Sequence, residues 1–306
     1  MSITKVTQHP TQNENFECSH RVIFDDCRVA LSRLTDDIAL TFLDPPFNQN
    51  KKYASYDDNL PENEYWQNLT DICKQIFRLT NAGGAIYFMQ REKNAENVLR
   101  VLRETGWTLQ NLIIWKKMTS AVPSTLRFGK SFQIITYATK EKRPKIFNRL
   151  RIDPPLLKHQ KKKRENGIFV TDIWDDIREL TSGYFAGDEP IREKSGERFH
   201  KQQSPIALLL RIILTSSKVG DCIFDPFSGT GTSAIVAKQL QRNSISIEID
   251  KENVDCIKNR LSEIRREDNI NKFYNDYKCT ENLDKIWGTN PILTVKSKQK
   301  ASSTIY

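Results

Sequence analysis

Asp44-Pro45-Pro46-Phe47 sets one carboxylate on a rigid turn. Each proline fixes φ at about −65°, and Pro45 also restricts Asp44 to an extended conformation. The turn therefore presents a carboxylate and free backbone carbonyls in fixed directions. That pair suits a planar aryl amine, a poor nucleophile because its lone pair is delocalised into the ring. Asp44 and the Pro45 carbonyl can each accept one N–H bond, which favours a pyramidal nitrogen with its lone pair freed for attack. Fixed dipoles aimed at developing charge are an effective form of catalysis. Phe47 adds an aromatic face on which a base can stack. Taken alone, Asp-Pro-Pro reads equally well as an ordinary strand-ending turn. Asp153-Pro154-Pro155 shows how readily the tripeptide arises: it follows no buried strand, precedes leucine and is assigned no chemistry.

The second motif is Asp225-Pro226-Phe227-Ser228-Gly229-Thr230-Gly231-Thr232. Its glycines permit a tight turn with close backbone approach to a ligand, and the N–H groups of the following helix face that ligand. Glu248 ends the next strand, where a carboxylate can bridge two ribose hydroxyls. This is the pattern of a nucleoside-cofactor site. Gly229-x-Gly231-x-x-Ala234 followed by Glu248 also satisfies the dinucleotide fingerprint, so the loop by itself leaves the cofactor open. The loop has no Gly-Lys-Ser/Thr and is not a P-loop.

These motifs need elements that place them. Ile38–Leu43 is a near-continuous apolar run, as expected of a strand buried on both faces, and it stops at Asp44. Val22–Asp26 reads as a short strand ending in Asp-Asp-Cys. Residues 62–79 carry Tyr65, Trp66, Leu69, Ile72, Cys73, Ile76 and Phe77 at helical spacing, with Asn81 and Gly83-Gly84 as the stop. A strand at 85–89, a helix near 93–105 and strands near 107–115 and 132–139 follow. Ser204-Pro205 reads as an N-cap with proline at the first helical position. A strand at 222–225, a helix at about 232–242, a strand over SISIEI and a helix from 251 complete the series. The alternation predicts an α/β fold, a mostly parallel sheet with helices on both faces. Trp66, Phe77 and Trp115 sit at core-like positions, and Trp174 is assigned to a small local core.

Composition restricts the partners. The 306-residue chain carries 28% charged residues and no apolar run of membrane-spanning length. The polar first twenty residues lack a secretory h-region, and six scattered cysteines without a C-x-x-C pair argue against zinc or a disulfide framework. No metal is expected, and the cytoplasm is the expected compartment. The net charge of +9 is concentrated: residues 140–164 hold eleven Lys/Arg against two Asp/Glu. Such a run is either a solvated surface or a footprint for a nucleic-acid backbone.

Asp-Pro-Pro-Phe followed by Asp-Pro-Phe-Ser-Gly-Thr-Gly-Thr resembles the amino-group DNA methyltransferases, the N6-adenine and N4-cytosine enzymes of bacterial restriction–modification systems. Their β subgroup has this permuted order, catalytic motif first and cofactor loop near the C-terminus. The resemblance covers roughly residues 20–145 and 198–268. It implies a Rossmann-like S-adenosylmethionine-dependent methyltransferase fold with an inserted target-recognition region. It assigns Asp44, Pro45, Pro46 and Phe47 to catalysis. It assigns Asp225, Pro226, Phe227, Ser228, Gly229, Thr230, Gly231 and Thr232 to the methionine end of S-adenosylmethionine. Glu248 matches the ribose acid, and Asp26-Cys27 the turn that contacts the cofactor adenine. His200-Lys201-Gln202-Gln203-Ser204-Pro205 resembles the segment before the cofactor strand, often His-Pro-Thr-Gln-Lys-Pro, with Lys201 and Ser204 as departures.

The implied organisation is a flexible arm at 1–19, a catalytic domain at 20–145 and 200–268, a variable target-recognition insertion at 146–199 and a polar basic tail at 269–306. The basic run falls in the insertion, where Lys158, Lys161, Lys162, Lys163 and Arg164 are assigned to DNA phosphates. The implied partners are double-stranded DNA, a cognate restriction endonuclease and a second copy of the chain, in a bacterial cytoplasm at the nucleoid. The target base must leave the stack to reach a buried loop. Aspartate before Pro-Pro favours adenine N6; cytosine-N4 enzymes usually carry Ser-Pro-Pro-Tyr. A NAD-dependent dehydrogenase leaves Asp44–Phe47 unexplained. RNA guanine-N2 enzymes usually place the cofactor loop first. A non-catalytic DNA-binding protein has no use for the intact tetrapeptide.

Overall fold

The computed structural model describes residues 18–50, 58–117, 125–153, 164–180, 187–193, 195–199 and 203–288. Its centre is an eight-stranded sheet. The strands are β1 (His20–Phe24), β2 (Ile38–Leu43), β3 (Thr80–Arg91), β4 (Thr108–Lys116), β5 (Phe132–Thr139), β8 (Ile173–Trp174), β9 (Cys222–Asp225) and β10 (Asn243–Glu248). They lie in the order β1-β10-β9-β2-β3-β5-β4-β8. Only β5 runs against the rest. A separate antiparallel pair joins β6 (Arg151–Ile152) to β7 (Ile168–Phe169).

The helices explain why β2 is apolar on both faces. One face is covered by α1 (Cys27–Arg33), α2 (Glu62–Leu79) and α3 (Ala95–Glu104), whose Leu31, Ile72, Ile76 and Val101 pack with Ile86 and Phe88 of β3. The other carries α4 (Ile206–Ser216) and α5 (Thr232–Gln239) over Leu40, Phe42, Tyr87 and Met89. The last long helix, α6 (Lys251–Ser262), is capped by Asp250, whose side chain accepts from the amides of Glu252 and Asn253.

Strands β2 and β9 are neighbours, with Leu40 opposite Ile223 and Thr41 opposite Phe224. From β2 the chain crosses through α2 to β3 on one side; from β9 it crosses through α5 to β10 on the other. Both strand ends therefore open into the crevice where the strand order reverses, the usual ligand position in open α/β sheets.

Two differences from the sequence reading have physical causes. Residues 269–288 are packed rather than tail-like. A 3-10 helix (Ile270–Tyr277) packs on α4, and with α7 (Leu283–Trp287) it buries Ile270, Tyr277, Leu283 and Trp287 in the core. Their apolar residues are too sparse to reveal a helix in a polar sequence. Strand β8, inside the expected insertion, extends the main sheet beside β4. Arg211, which interrupts the apolar run of α4, is buried at 2% exposure and forms a bidentate pair with Asp176 (2.8 and 2.5 Å). Its guanidinium also lies 5.2 Å from the buried Trp174 ring, so the pair ties α4 to the residues after β8.

Among the described residues no helix is long and apolar enough to cross a membrane. Residues 1–17, 154–163, 200–202 and 289–306 lie outside the described set, and with them Lys158, Lys161, Lys162, Lys163 and His200. Arg164 is exposed at the start of a turn.

Candidate active site

A cavity of about 700 Å³ opens at the C-terminal ends of β2, β9 and β10. Its size suits a nucleoside-sized ligand. Asp44, Pro45 and Pro46 line one side; Asp225–Thr230, Thr232 and Glu248 line the other; Asp26 and Cys27 line the rim. The structure thus brings together almost all of the catalytic and cofactor residues read from the sequence, although 184 positions separate Asp44 from Ser228 on its wall.

The loop after β9 is fixed by its own hydrogen bonds. Ser228 Oγ donates to the Asp225 carbonyl (2.8 Å), and Ser228 N donates across to Ile247 of β10 (3.1 Å). Gly229 takes φ of 51°, a left-handed conformation natural to glycine, and its amide donates to Glu248 Oε2 (2.7 Å). Glu248 Oε1 accepts from the Asp250 amide (2.9 Å) and from Asn253 Nδ2 (3.3 Å). A carboxylate has about four acceptor positions, so capacity for a ligand hydroxyl remains.

Burial decides the electrostatics. Asp225 is 5% exposed, and its carboxyl is pushed up to about 7 by burial. Hydrogen bonds from Ser233 Oγ (2.5 Å) and Phe227 N (3.1 Å) oppose the shift without cancelling it. Burial also raises Glu248. At the rim Asp26 caps α1 and pairs with Arg28 (2.7 Å), whose side-chain hydrogen bonds hold its carboxyl below the usual range. Cys27 is buried and its thiol is pushed far up by burial, so it is no nucleophile.

Two site residues sit differently from expectation. Phe47 is 8% exposed, belongs to the core cluster under α4 and is not on the cavity wall. The chain leaves the turn through Asn48 at φ 52°, and Asp58 accepts from the amides of Asn48 (2.8 Å) and Gln49 (3.0 Å). Gly231 is also off the wall. It starts α5 at φ 78°, and a Cβ there would lie 2.7 Å from Ile257 Cγ1 of α6. Its requirement for glycine comes from its left-handed backbone and from helix packing.

Other residues at the site were missed. Ser204 does not cap α4; Pro205 holds that position without a side-chain bond, and Glu189 supplies the acceptor for Ile206 N (2.6 Å). The Ser204 hydroxyl instead donates to Asp44 Oδ2 (3.2 Å). Tyr65, which the sequence marks only by its helical spacing, lines the cavity and donates to the Pro46 carbonyl (2.7 Å). Arg198 and Phe199 line the cavity too, on a segment where Arg192 bridges Arg198 and Phe199 N donates to Ile191 (3.0 Å). No periodicity marks that segment; only its position before Ser204-Pro205 singles it out.

Residues 38–259 match the family described as DNA methylase, the N6/N4 methyltransferases. The chain belongs to that family. It is a DNA methyltransferase of N6/N4 type, with the Asp44–Phe47 turn ahead of the Asp225–Thr232 loop. It is 29% identical over 255 residues to the Type II methyltransferase M.HpaI of Haemophilus parainfluenzae, covering 82% of this chain and 77% of that one. Among solved structures it is similar to the complex of M1.HpyAVI with SAM, at 21% identity and a TM-score of 0.51 over 79% of this chain and 100% of that one. It is also similar to the PvuII DNA methyltransferase, described as cytosine-N4-specific, at 17% identity and a TM-score of 0.58 over 89% and 94% of the two chains. The fold is therefore the α/β methyltransferase fold.

Proposed function

We propose that this DNA methyltransferase transfers a methyl group from S-adenosylmethionine to N6 of adenine in duplex DNA, as the modification enzyme of a restriction–modification system. One observation carries the reading: Asp44-Pro45 and the Asp225–Thr230 loop face one cavity from adjacent strands. The residues present fit the cofactor. Asp225 and Glu248 bring two buried carboxylates to a cavity lined in part by a left-handed glycine, Gly229, a setting for a cationic nucleoside. The Asp225 loop would hold the methionine end, Glu248 the ribose and Asp26-Cys27 the adenine. When bound, S-adenosylmethionine supplies an electrophilic methyl group.

The chain's own residues prepare the amine. Asp44 and the Pro45 carbonyl accept its two N–H bonds and direct its lone pair toward the cofactor side. The rigid turn makes this arrangement before the substrate arrives, so little reorganisation accompanies transfer. Pro45 is buried and Asp44 half-buried, which strengthens both hydrogen bonds relative to water. Lys158, Lys161, Lys162, Lys163 and Arg164 are assigned to DNA phosphates. M.HpaI's description as a Type II methyltransferase supports a cognate endonuclease as partner.

Adenine is favoured by the aspartate at position 44. The decisive experiment transfers a labelled methyl group to duplex DNA, digests it to nucleosides and separates them. Label in N6-methyldeoxyadenosine is expected. Label in N4-methyldeoxycytidine would move the chain to the cytosine-N4 enzymes and leave the turn's chemistry intact.

A further inference from the structure

The acceptor turn is gripped from two sides by residues outside the motif. We propose that Ser204 and Tyr65 are positioning residues that aim the Asp44 carboxylate and the Pro45 carbonyl at the target amine. The inference rests on the reading of those two groups as the amine's acceptors.

An aspartate carboxylate rotates over a broad, shallow range about its last torsion. Ser204 Oγ, donating to Oδ2 at 3.2 Å, selects one rotation. The serine is itself well held. Gln203 Oε1 accepts from Ile191 N (3.0 Å) just before it, and Glu189 binds Ile206 N (2.6 Å) just after it. Because Glu189 serves the start of α4, the Ser204 hydroxyl is released from capping and points at Asp44.

The second grip acts on the backbone. Tyr65 is 3% exposed and donates to the Pro46 carbonyl at 2.7 Å. Its oxygen accepts from Nε2 of the fully buried Gln90 at 2.9 Å, and Gln90 Oε1 accepts from Arg91 N (2.9 Å). With φ of Pro46 locked by its ring, ψ is the only soft torsion between the two flanking peptide planes. Holding the Pro46 carbonyl to α2 fixes that torsion and thereby orients the Pro45 carbonyl. Tyr65 reaches β3 through Gln90, so the turn is referenced to the sheet as well as to α2.

The test measures single-turnover methyl transfer, S-adenosylmethionine and DNA affinity, and melting temperature for the wild type, Ser204→Ala, Ser204→Thr and Tyr65→Phe. Tyr65→Phe keeps the ring and its packing. Ser204→Ala and Tyr65→Phe are each expected to slow transfer roughly tenfold or more at saturating DNA and cofactor, the size of one lost hydrogen bond to a charged or buried group. Both binding constants should stay within experimental error, and Ser204→Thr, which keeps the hydroxyl, should recover the rate. Unchanged transfer rates in Ser204→Ala and Tyr65→Phe would overturn the proposal. So would a rate loss matched by equal losses of binding or of melting temperature. A wild type that methylates no DNA would sink the functional reading and this proposal with it; an active wild type with unaffected variants sinks this proposal alone.

Discussion

Gly231 of the cofactor loop and Ile257 of α6 are in contact so close that a Cβ on Gly231 would sit 2.7 Å from the isoleucine Cγ1. Gly231 also holds φ of 78°. Alanine there meets both backbone strain and overpacking, together about 2–4 kcal/mol. Gly231→Ala is therefore expected to lower the melting temperature, while the folded fraction keeps its cofactor affinity. A full-strength melting curve with a large loss of affinity would place Gly231 against the ligand after all.

Asp225 is expected to make stability and cofactor binding depend on pH in opposite senses. A free aspartate titrates at 3.8, and burial holds this one at about 7. The native state therefore binds the proton more tightly than the unfolded chain. The group's contribution to stability is highest below pH 3.8 and declines as pH rises to about 7. Asp225→Asn should raise the melting temperature relative to wild type at pH 8, by on the order of 3 kcal/mol of stability, and should not do so at pH 4. Ionised Asp225 favours a cationic cofactor, so wild-type affinity for S-adenosylmethionine should increase from pH 6 to pH 8, and the asparagine variant should flatten that rise. Calorimetry at the two pH values reads both.

Glu248 shapes the loop it is expected to use. Its carboxylate accepts the amides of Gly229 and Asp250. Glu248→Ala leaves two backbone donors unpaired near the cavity floor, at roughly 1–3 kcal/mol each, and should lose stability along with cofactor affinity. Glu248→Gln keeps a carbonyl acceptor and should lose mainly affinity. Equal affinities in the wild type and the glutamine variant would remove Glu248 from the ribose.

Phe47 packs in the core, so Phe47→Ala should behave as a core truncation of about 3–5 kcal/mol in chemical denaturation. Stacking of an extruded base on Phe47 would require its ring to leave that cluster. A 2-aminopurine at the target position is expected to brighten on binding to the wild type. A Phe47→Ala variant of wild-type stability would contradict the packing described.

The basic run is expected to hold phosphates. Replacing Lys161, Lys162, Lys163 and Arg164 with glutamine should weaken binding to all duplexes alike. The slope of log K against log salt should flatten by up to roughly 0.9 per lost phosphate contact. Binding titrations at several salt concentrations check this, and an unchanged slope would leave the run a solvated surface. The lysines and arginine at 140–145 are poorer candidates. Lys140 Nζ donates to the Thr80 carbonyl (2.6 Å) and Lys145 N to Gly83 (2.8 Å), where β3 begins, at the opposite end of the sheet from Asp44.

What the sequence determined was local and repetitive. Ile38–Leu43 announced a doubly buried strand because both faces are covered by helices, and its bounds agree with β2. The spacing over 62–79 announced α2 because one stripe of that helix must be apolar. The two motifs were legible because tight turns demand particular residues, proline at 45 and 46 and glycine at 229. Tertiary structure decided what depends on distant partners. The pairing of β2 with β9 makes one cavity of two motifs. The same serine that reads as a helix cap becomes a ligand of Asp44 once Glu189 takes the capping place. Phe47 turned inward and Gly231 was claimed by Ile257, because an aromatic ring and a missing side chain answer to whatever packs against them. Trp287 and Tyr277 joined the core from a polar stretch, because a few apolar residues suffice when a formed core is already there to receive them.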